Sequence, residues 1–569
     1  LKPFPFKFSG SLGSPPGALV VGDRFMSGGS ISDLEMLGLS VGSAAAPLLL
    51  RRAPLLQPFA SQGAVASRFA PVSASTSVHS VSGTTAVLVA GAVATTKTVK
   101  AAAPKNVAKV AKVAKVARPA STSTLVDGAA DKPVCFPAAS SLPSSDEVFS
   151  CISYNVLLPN NKDGWWIYKY YRDPGDGKMA EWSARQAMMK DQLLKAGADF
   201  VCLQEVSDLS WEEDFAFMEE AGYERLMHEK KGRMRPATFW RKDRWEMVSA
   251  LHRDRTLILA LRRRSGPHAG TTLLLANAHL SAGHNADRRL RQTEEALSQT
   301  AKEAKNLGLD LEKCPVVYCG DLNSQGSTAV RELLVAGEVR PDFRESGDPT
   351  EKGQNGVQIT SKIKRQTFGA FQDAAELCFG TGSAPATILV ANIDSKMMCD
   401  DNTLTPAMLE TLRAAFKTCC KSGRDVMTRE EVVSFLLSVN KELGRGSEYR
   451  SVVAAMAKRG QDFESPDATL TEEDFIALYA QELEEGKFWG VEHDLRVLCG
   501  QGMALPSEGP TELCFDHMFF TPASLRLVGV QETLTEEQRQ RIWGPPFDVL
   551  PNAWHPSDHL PVAAAFALR

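Results

Sequence analysis

Several short apolar runs along the chain stop abruptly in polar residues. The most marked is Val316-Val317-Tyr318-Cys319-Gly320-Asp321-Leu322-Asn323-Ser324. Val and Tyr between Pro315 and Gly320 predict a buried strand that delivers Asp321 and Asn323 to its end. Alternate residues of an extended segment share a face, so the two side chains point the same way. A carboxylate and an amide so placed could hold a water or a metal-bound phosphate oxygen, although the same residues also suit an ordinary turn.

The same device recurs. Cys151–Val156 carries Asn155, Phe200–Val206 carries Gln204 and Glu205, and Thr272–Leu280 carries Asn277 and His279. Leu513–Phe520 carries Asp516, and His555–Val562 brings Ser557, Asp558 and His559. Between these runs the apolar spacing lengthens to that of helices. Ala184–Ala196, with Met188, Met189, Leu193 and Leu194, is expected to pack on the sheet, and Trp182 and Arg185 lie at its start. Asp287–Leu307 reads as a helix stopped by Gly308, and Gly326–Val335 starts another.

From about residue 381 to 505 the pattern turns to helices alone. Thr405-Pro406 is an N-cap with a first-turn proline, and Thr428 with Glu431 forms a capping box. Thr471 with Asp474 repeats it. Helix, polar loop and helix, twice over, resembles an EF-hand pair. Its ligand positions are poor: counting back from Glu431 places Cys420, Ser422 and Arg424 where Ca2+ wants acidic oxygens. In the second loop Ca2+ would need Asp462, Glu464, Asp467 and Asp474 in an altered geometry. The module therefore reads as structural or partner-binding ahead of calcium sensing.

In their order, Asn155, Gln204-Glu205, Asn277-x-His279, Gly320-Asp321-Leu322-Asn323, Asp516 and Ser557-Asp558-His559 resemble the endonuclease/exonuclease/phosphatase superfamily, and most closely its Ccr4, nocturnin and angel branch. The likeness covers roughly 146–380 and 506–569, and the whole resembles plant and algal calcium-binding members. It implies an α/β (α+β) fold, a four-layer α/β/β/α sandwich with the all-α EF-hand-like module inserted. The expected domains are 1–145, a disordered, basic transit-like region and linker; 146–380, the first part of the catalytic domain; 381–505, the insert; and 506–569, its C-terminal part. The resemblance also implies roles. Glu205 is the principal ligand of Mg2+, with Mn2+ the alternative, and Asn155 and Asp558 stand near it. Asp321 orients or deprotonates the attacking water, and Asn323 holds a phosphate oxygen. His279 contacts the scissile phosphate as a candidate proton donor with Asp516 nearby, and His559, steered by its own carboxylate neighbours, is the second phosphate or base histidine. His517 and His555 are left structural.

Composition then narrows the field. Residues 1–145 hold 14 Lys or Arg against 5 Asp or Glu, while the chain carries −4, so the rest is at −13. Phosphates must be gripped by local clusters or metal ions: Lys230, Lys231, Arg233 and Arg235; Arg262 to Arg264; or Lys362, Lys364 and Arg365. The 11 cysteines contain no CxxC pair, which argues against a disulfide framework or a zinc cluster and for a reducing intracellular compartment. The acid-poor N-terminal region points to a chloroplast or mitochondrion, with cytoplasm or nucleus the alternative. Leu1 reads as a truncated or conceptual start. The period-three run Lys109–Arg118 reads as a cationic tether, and the longest apolar stretch there, Ala86–Ala94, is too short to span a bilayer.

Two features bear on substrate. Trp165, Trp166, Tyr168, Tyr170 and Tyr171, interleaved with Lys169, would stack bases or form a local core beneath a loop. With Arg185, Arg235 and Asn277, the first three are the candidate substrate contacts. Where Ccr4-like proteins show a basic residue, Asp-Gly and Ala-x-Phe, this chain has Arg233-Met234-Arg235-Pro236-Ala237-Thr238-Phe239, so the family's way of holding a nucleotide there does not transfer. Gln325 and Phe515-Asp516-His517 depart from the inositol phosphatase pattern. The expected function is Mg2+-dependent 3′–5′ removal of nucleotides from RNA ends. The alternatives are a nocturnin-like phosphatase of a small nucleotide and a non-catalytic scaffold binding a protein partner through the insert.

Overall fold

A computed structural model of the chain describes residues 132–569 except 160–161, 172–177, 231–232, 351–354, 392–396, 400–402, 422, 501–509 and 546. Residues 1–131 of the transit-like region, with the tether at 109–118, lie outside the described residues, as do Lys231 and Ser422.

Two mixed sheets carry the fold. One runs Val134–Phe136, Leu525–Gln531, Val562–Leu568, Val148–Asn155, Phe200–Val206, Arg235–Arg241, Tyr223–Met227. The other runs Gln372–Asp373, Asp516–Phe520, Val316–Asp321, Thr272–His279, Thr256–Arg263, Trp245–Arg253. Alternation sorts each strand's side chains. Phe149, Cys151, Phe200, Leu257, Leu259, Leu273, Leu275, Val317 and Phe566 form a core between the sheets. On the opposite faces Ile152, Val201 and Leu203 pack beneath the helix Trp182–Ala196, and Leu274, Ala276, Val316 and Tyr318 beneath Ala286–Asn306. Strands buried on both faces need apolar residues throughout, which is why their runs are nearly continuous. The layers are helix, sheet, sheet, helix.

The central parallel pair is unusually close. Gly320 lies opposite Ala278, with φ +139°, and a Cβ there would sit 1.8 Å from the Ala278 carbonyl oxygen. Only glycine fits, and the close approach sets His279 beside Asp321 at the ends of their strands.

Three expectations are revised. The sandwich begins before residue 146, because Val134–Phe136 pairs in parallel with Gly529–Gln531 at the sheet edge. His555–Leu560 is not strand but a loop feeding Val562–Leu568. The segment 381–505 is not helices alone. Ile388–Ala391 pairs antiparallel with Pro510–Leu513, so the chain enters and leaves the helical module through adjacent strands. Within it lie Pro406–Cys419, Arg429–Asn440, Gly446–Lys458, Glu472–Glu484 and Phe488–Cys499. Thr405 caps the first, and both capping boxes form. The short strands Val426–Thr428 and Thr469–Thr471 pair antiparallel. No described helix is long and apolar enough to cross a membrane.

The aromatic stretch is where the module docks. Tyr170 stacks on Trp489 of the last helix with centroids 4.1 Å apart, and Trp166 lies 5.7 Å from the same ring. Tyr168 donates to the Val439 carbonyl, and Trp165 faces Arg445. Lys169, 4 % exposed, bridges Glu448 at 3.0 Å and Asp494 at 3.1 Å. Trp165, Trp166 and Tyr168 are thus engaged with the insert rather than offered as a base-stacking platform: the local-core reading prevails.

Candidate active site

Strand ends and one loop assemble the site. Asn155 ends its strand with Nδ2 shared between Glu205 Oε1 at 3.2 Å and Asp321 Oδ2 at 3.0 Å. Glu205 adopts φ +65°, a costly conformation for a glutamate, which interrupts the pairing with Arg235–Arg241 and turns the carboxylate into the site. Asp321 also accepts the Asn323 N–H on Oδ1 at 2.8 Å. Asn323 has φ +50° and donates its side chain to the Leu280 carbonyl. His279 brings Nε2 to 3.5 Å from Asp321 and 3.8 Å from Glu205. The Ser557 hydroxyl ties the last loop to the Asn155 carbonyl at 2.7 Å and accepts the His559 N–H. Asp558 is nearly buried, beside Ser557.

His559 is the most strongly held side chain. Its Nδ1 lies 2.8 Å from Asp516 Oδ2 and, since a carboxylate only accepts, must carry the proton there. Its Nε2 faces Asp321 at 3.9 Å. Asp516, expected near His279, is the carboxylate that steers His559.

Burial and charge then divide the two histidines. Burial opposes the charge on His559, yet Asp516, Asp321 and Asp558 hold it well above the usual imidazole range. Burial drives His279 well below that range, and the charges of Arg255 and His559 push the same way, so His279 is neutral and a poor proton donor. Burial pushes Asp321 up to about 7, with Asp516 adding and His559 opposing. Burial also raises Glu205, Asp558 adding.

The donors suit a hard cation. Glu205 Oε2 and Asp516 Oδ1 are shut from solvent without a protein partner, a cost a divalent ion would relieve. Among the described residues Asp321, Asp516 and His559 bring ligand atoms within 4.8 Å of one another, and Glu205 stands beside them on the Asn155 amide that also holds Asp321. Asn155 uses its amide hydrogens on both carboxylates and its oxygen on the Leu157 N–H. It bridges the two acids.

The remaining candidates are engaged elsewhere. Arg185, fully buried, donates to the carbonyls of Val156, Leu157, Leu158 and Pro556, clamping the loop after the first catalytic strand. Arg235 pairs with Asp208 and donates to the His228 carbonyl. Asn277 donates to the carbonyls of Leu203 and Ala237 and accepts from Gln204, locking the two sheets together beneath the site. In the insert, Glu464 pairs with Arg429, and Asp474 pairs with Arg459 while receiving the Thr471 cap bonds. Asp462 accepts its neighbour Glu464's N–H, and Asp467 is exposed. In the first loop the Cys420 thiol donates to the Arg424 and Val426 carbonyls. Glu464 and Asp474 are thus taken up by arginines, and among the described residues the four acids are not gathered into a calcium cage.

Two features escape a reading of motifs. All 11 cysteines are unpaired, but Cys151, Cys202 and Cys319 converge within 4.8 Å between the sheets, which no CxxC spacing signals. Arg255 lies in the turn beside the site, and its carbonyl accepts the His279 N–H at 2.9 Å. In sequence it is one cation among several.

A family model described as the Endonuclease/Exonuclease/phosphatase family matches residues 152–559. The Ccr4 3′–5′ exoribonuclease subunit of the CCR4-Not complex from Kluyveromyces lactis is 25% identical over 239 residues, 35% of this chain and 30% of that protein. Protein angel homolog 2 from Danio rerio is 26% identical over 195 residues, 31% and 33% of the two chains. The match thus spans about a third of the length of these relatives. A crystal structure of ANGEL2, described as a 2′,3′-cyclic phosphatase, superposes with TM-score 0.43 and 16% identity over 74% of this chain and 96% of that one.

Proposed function

Because the chain belongs to the endonuclease/exonuclease/phosphatase family, whose members are metal-dependent hydrolases, we propose that it hydrolyses RNA phosphodiester bonds from the 3′ end by in-line attack of water. One observation carries the reading. Side chains from five separate segments, Asn155, Glu205, His279, Asp321 and His559, meet at one lip of the sandwich. The exoribonuclease description of the Ccr4 relative gives the substrate class.

In this reading Asp321, with its proton affinity raised toward neutrality, takes a proton from the water as its oxygen bonds to phosphorus and the bond to the leaving 3′ oxygen breaks, that oxygen taking up a proton from solvent water. Asn155 keeps the Asp321 and Glu205 carboxylates together at a distance that two anions would otherwise resist. Cationic His559, steadied by Asp516, presents Nε2–H to the phosphate, and neutral His279 adds a hydrogen bond without adding charge. Asn323 fixes Asp321 through its backbone N–H and lines the phosphate side. Glu205, with Asp558 beside it, would hold Mg2+ or Mn2+, whose contribution when bound is to neutralise charge on the phosphate.

The test incubates the purified chain with Mg2+ and labelled oligo(A), mixed-sequence RNA or NADPH, alongside Glu205→Ala. Stepwise shortening that requires Glu205 supports the exonuclease. Phosphate release without shortening replaces it with the phosphatase, and silence on all three leaves the partner-binding scaffold.

A further inference from the structure

We infer that Arg255, Lys230 and Arg288 form a subsite for a substrate phosphate next to the one under attack, an inference that rests on the phosphodiesterase reading above. Arg255 sits in the turn between Trp245–Arg253 and Thr256–Arg263, one hydrogen bond from the backbone of His279. Among the described residues its guanidinium makes no ion pair or hydrogen bond, and its Nε is shut from water without a partner. An arginine in that state is costly in the empty protein.

Its neighbours worsen the imbalance. Lys230 and Arg288 lean on the single carboxylate of Asp254 at 3.6 and 3.7 Å, near the limit of an ion pair. Asp254 is already bound by Gln292 at 2.7 Å, and Gln292 also accepts the Ser281 N–H two residues beyond His279, so the turn is fixed against the catalytic strand. Arg288 lies in the first turn of Ala286–Asn306, where the helix dipole is itself positive. Burial, then repulsion from Arg255, holds Lys230 below its usual range, and Arg255 in turn feels Glu205 and Asp321. Three cations thus crowd one carboxylate at the lip of an anionic catalytic centre, in a folded region that is acidic overall. A phosphate oxygen pair matches the unused Arg255 fork and supplies the missing negative charge.

The chemistry is that of a phosphate, either the next diester along an RNA strand or a terminal phosphate of a nucleotide. The test measures binding to the full chain in EDTA, which suppresses metal-dependent turnover. The probes are a fluorescent five-residue oligoadenylate and adenosine 3′,5′-bisphosphate. Arg255→Gln, whose fold is checked by circular dichroism, should weaken oligonucleotide binding about tenfold. It should also reduce the slope of log affinity against log salt by about 0.7 for the lost contact. Arg255→Lys should recover part of both, and Asp254→Asn should tighten binding. Loss confined to the oligonucleotide assigns the next diester; equal loss on both probes assigns the terminal phosphate. Wild-type affinity and slope in Arg255→Gln, or tightening absent in Asp254→Asn, overturn the subsite. Turnover in Mg2+ separates the two claims. A wild type that cleaves nothing while Arg255→Gln still binds weakly sinks the phosphodiesterase alone, and cleavage with unaltered binding sinks the subsite alone.

Discussion

Asp516 stands directly across the antiparallel ladder from Asp321, and His559 lies between their carboxylates, 2.8 Å from one and 3.9 Å from the other. The first acid fixes which nitrogen of the ring is protonated, and the second receives the opposite nitrogen. Asp516→Asn keeps the shape but removes the charge that holds the His559 proton. In the proposed reaction this should lower kcat by about two to four orders of magnitude with little change in KM, and shift the limb of the pH–rate profile governed by His559 toward acid. Unchanged kcat would remove His559 from the chemistry.

Glu205 is fully buried, with one oxygen lacking a partner. Burial raises its proton affinity in the folded state, so the folded chain holds that proton more tightly than the unfolded one, and stability falls as pH rises past the ordinary glutamate range. Glu205→Gln should therefore abolish turnover while stabilising the metal-free protein at pH 7 by about 1–3 kcal/mol. Urea unfolding with and without Mg2+ checks this: the gain should shrink when metal binds the wild type. Destabilisation in EDTA would contradict the assignment.

His555 is buried against Tyr154, Gln192 and the carbonyl of His559. Burial pulls it down to about 4, so below the ordinary imidazole value the unfolded chain binds a proton that the folded chain refuses. Its stabilising contribution is full above about 6.5 and is lost as pH falls toward 4. Thermal melts should decline between pH 7 and 5, more steeply in the wild type than in His555→Gln. Parallel curves would show that other groups control the decline.

Lys169 joins the catalytic part to the insert through two carboxylates that are themselves buried. Lys169→Met strands both, at about 3–5 kcal/mol. Equilibrium unfolding should register this loss, and adding Glu448→Gln and Asp494→Asn should return part of it. A single variant as stable as the wild type would mean that the charges escape to solvent.

The strand ends were legible because a run buried on both faces must be apolar until it reaches the site, where Asn155, Glu205, His279 and Asp321 break it. The helix starts at Thr405, Thr428 and Thr471 were legible because a cap is a local event. Partnership was not. Whether Asp516 serves His279 or His559 depends on ladder register, which no spacing along the chain encodes. The aromatic run at 165–171 reads alike as a base platform or a local core beneath a loop, and its contact with Trp489, more than 300 residues away, is not written in its own spacing. Arg185 and Arg235 look like phosphate ligands until their carbonyl and carboxylate partners are known, whereas Arg255, undistinguished in sequence, is conspicuous once its guanidinium is seen to have no partner among the described residues.

Ile388–Ala391 and Pro510–Leu513 leave and rejoin the sandwich side by side. Whatever hangs from that doorway can change in size without altering the path of the sheets, so a tight turn from Ala391 to Pro510 should close the enzyme without its appendage. The Tyr170 and Lys169 side that faces it would be left bare, and a shortened version would have to replace that cover as well as the connection.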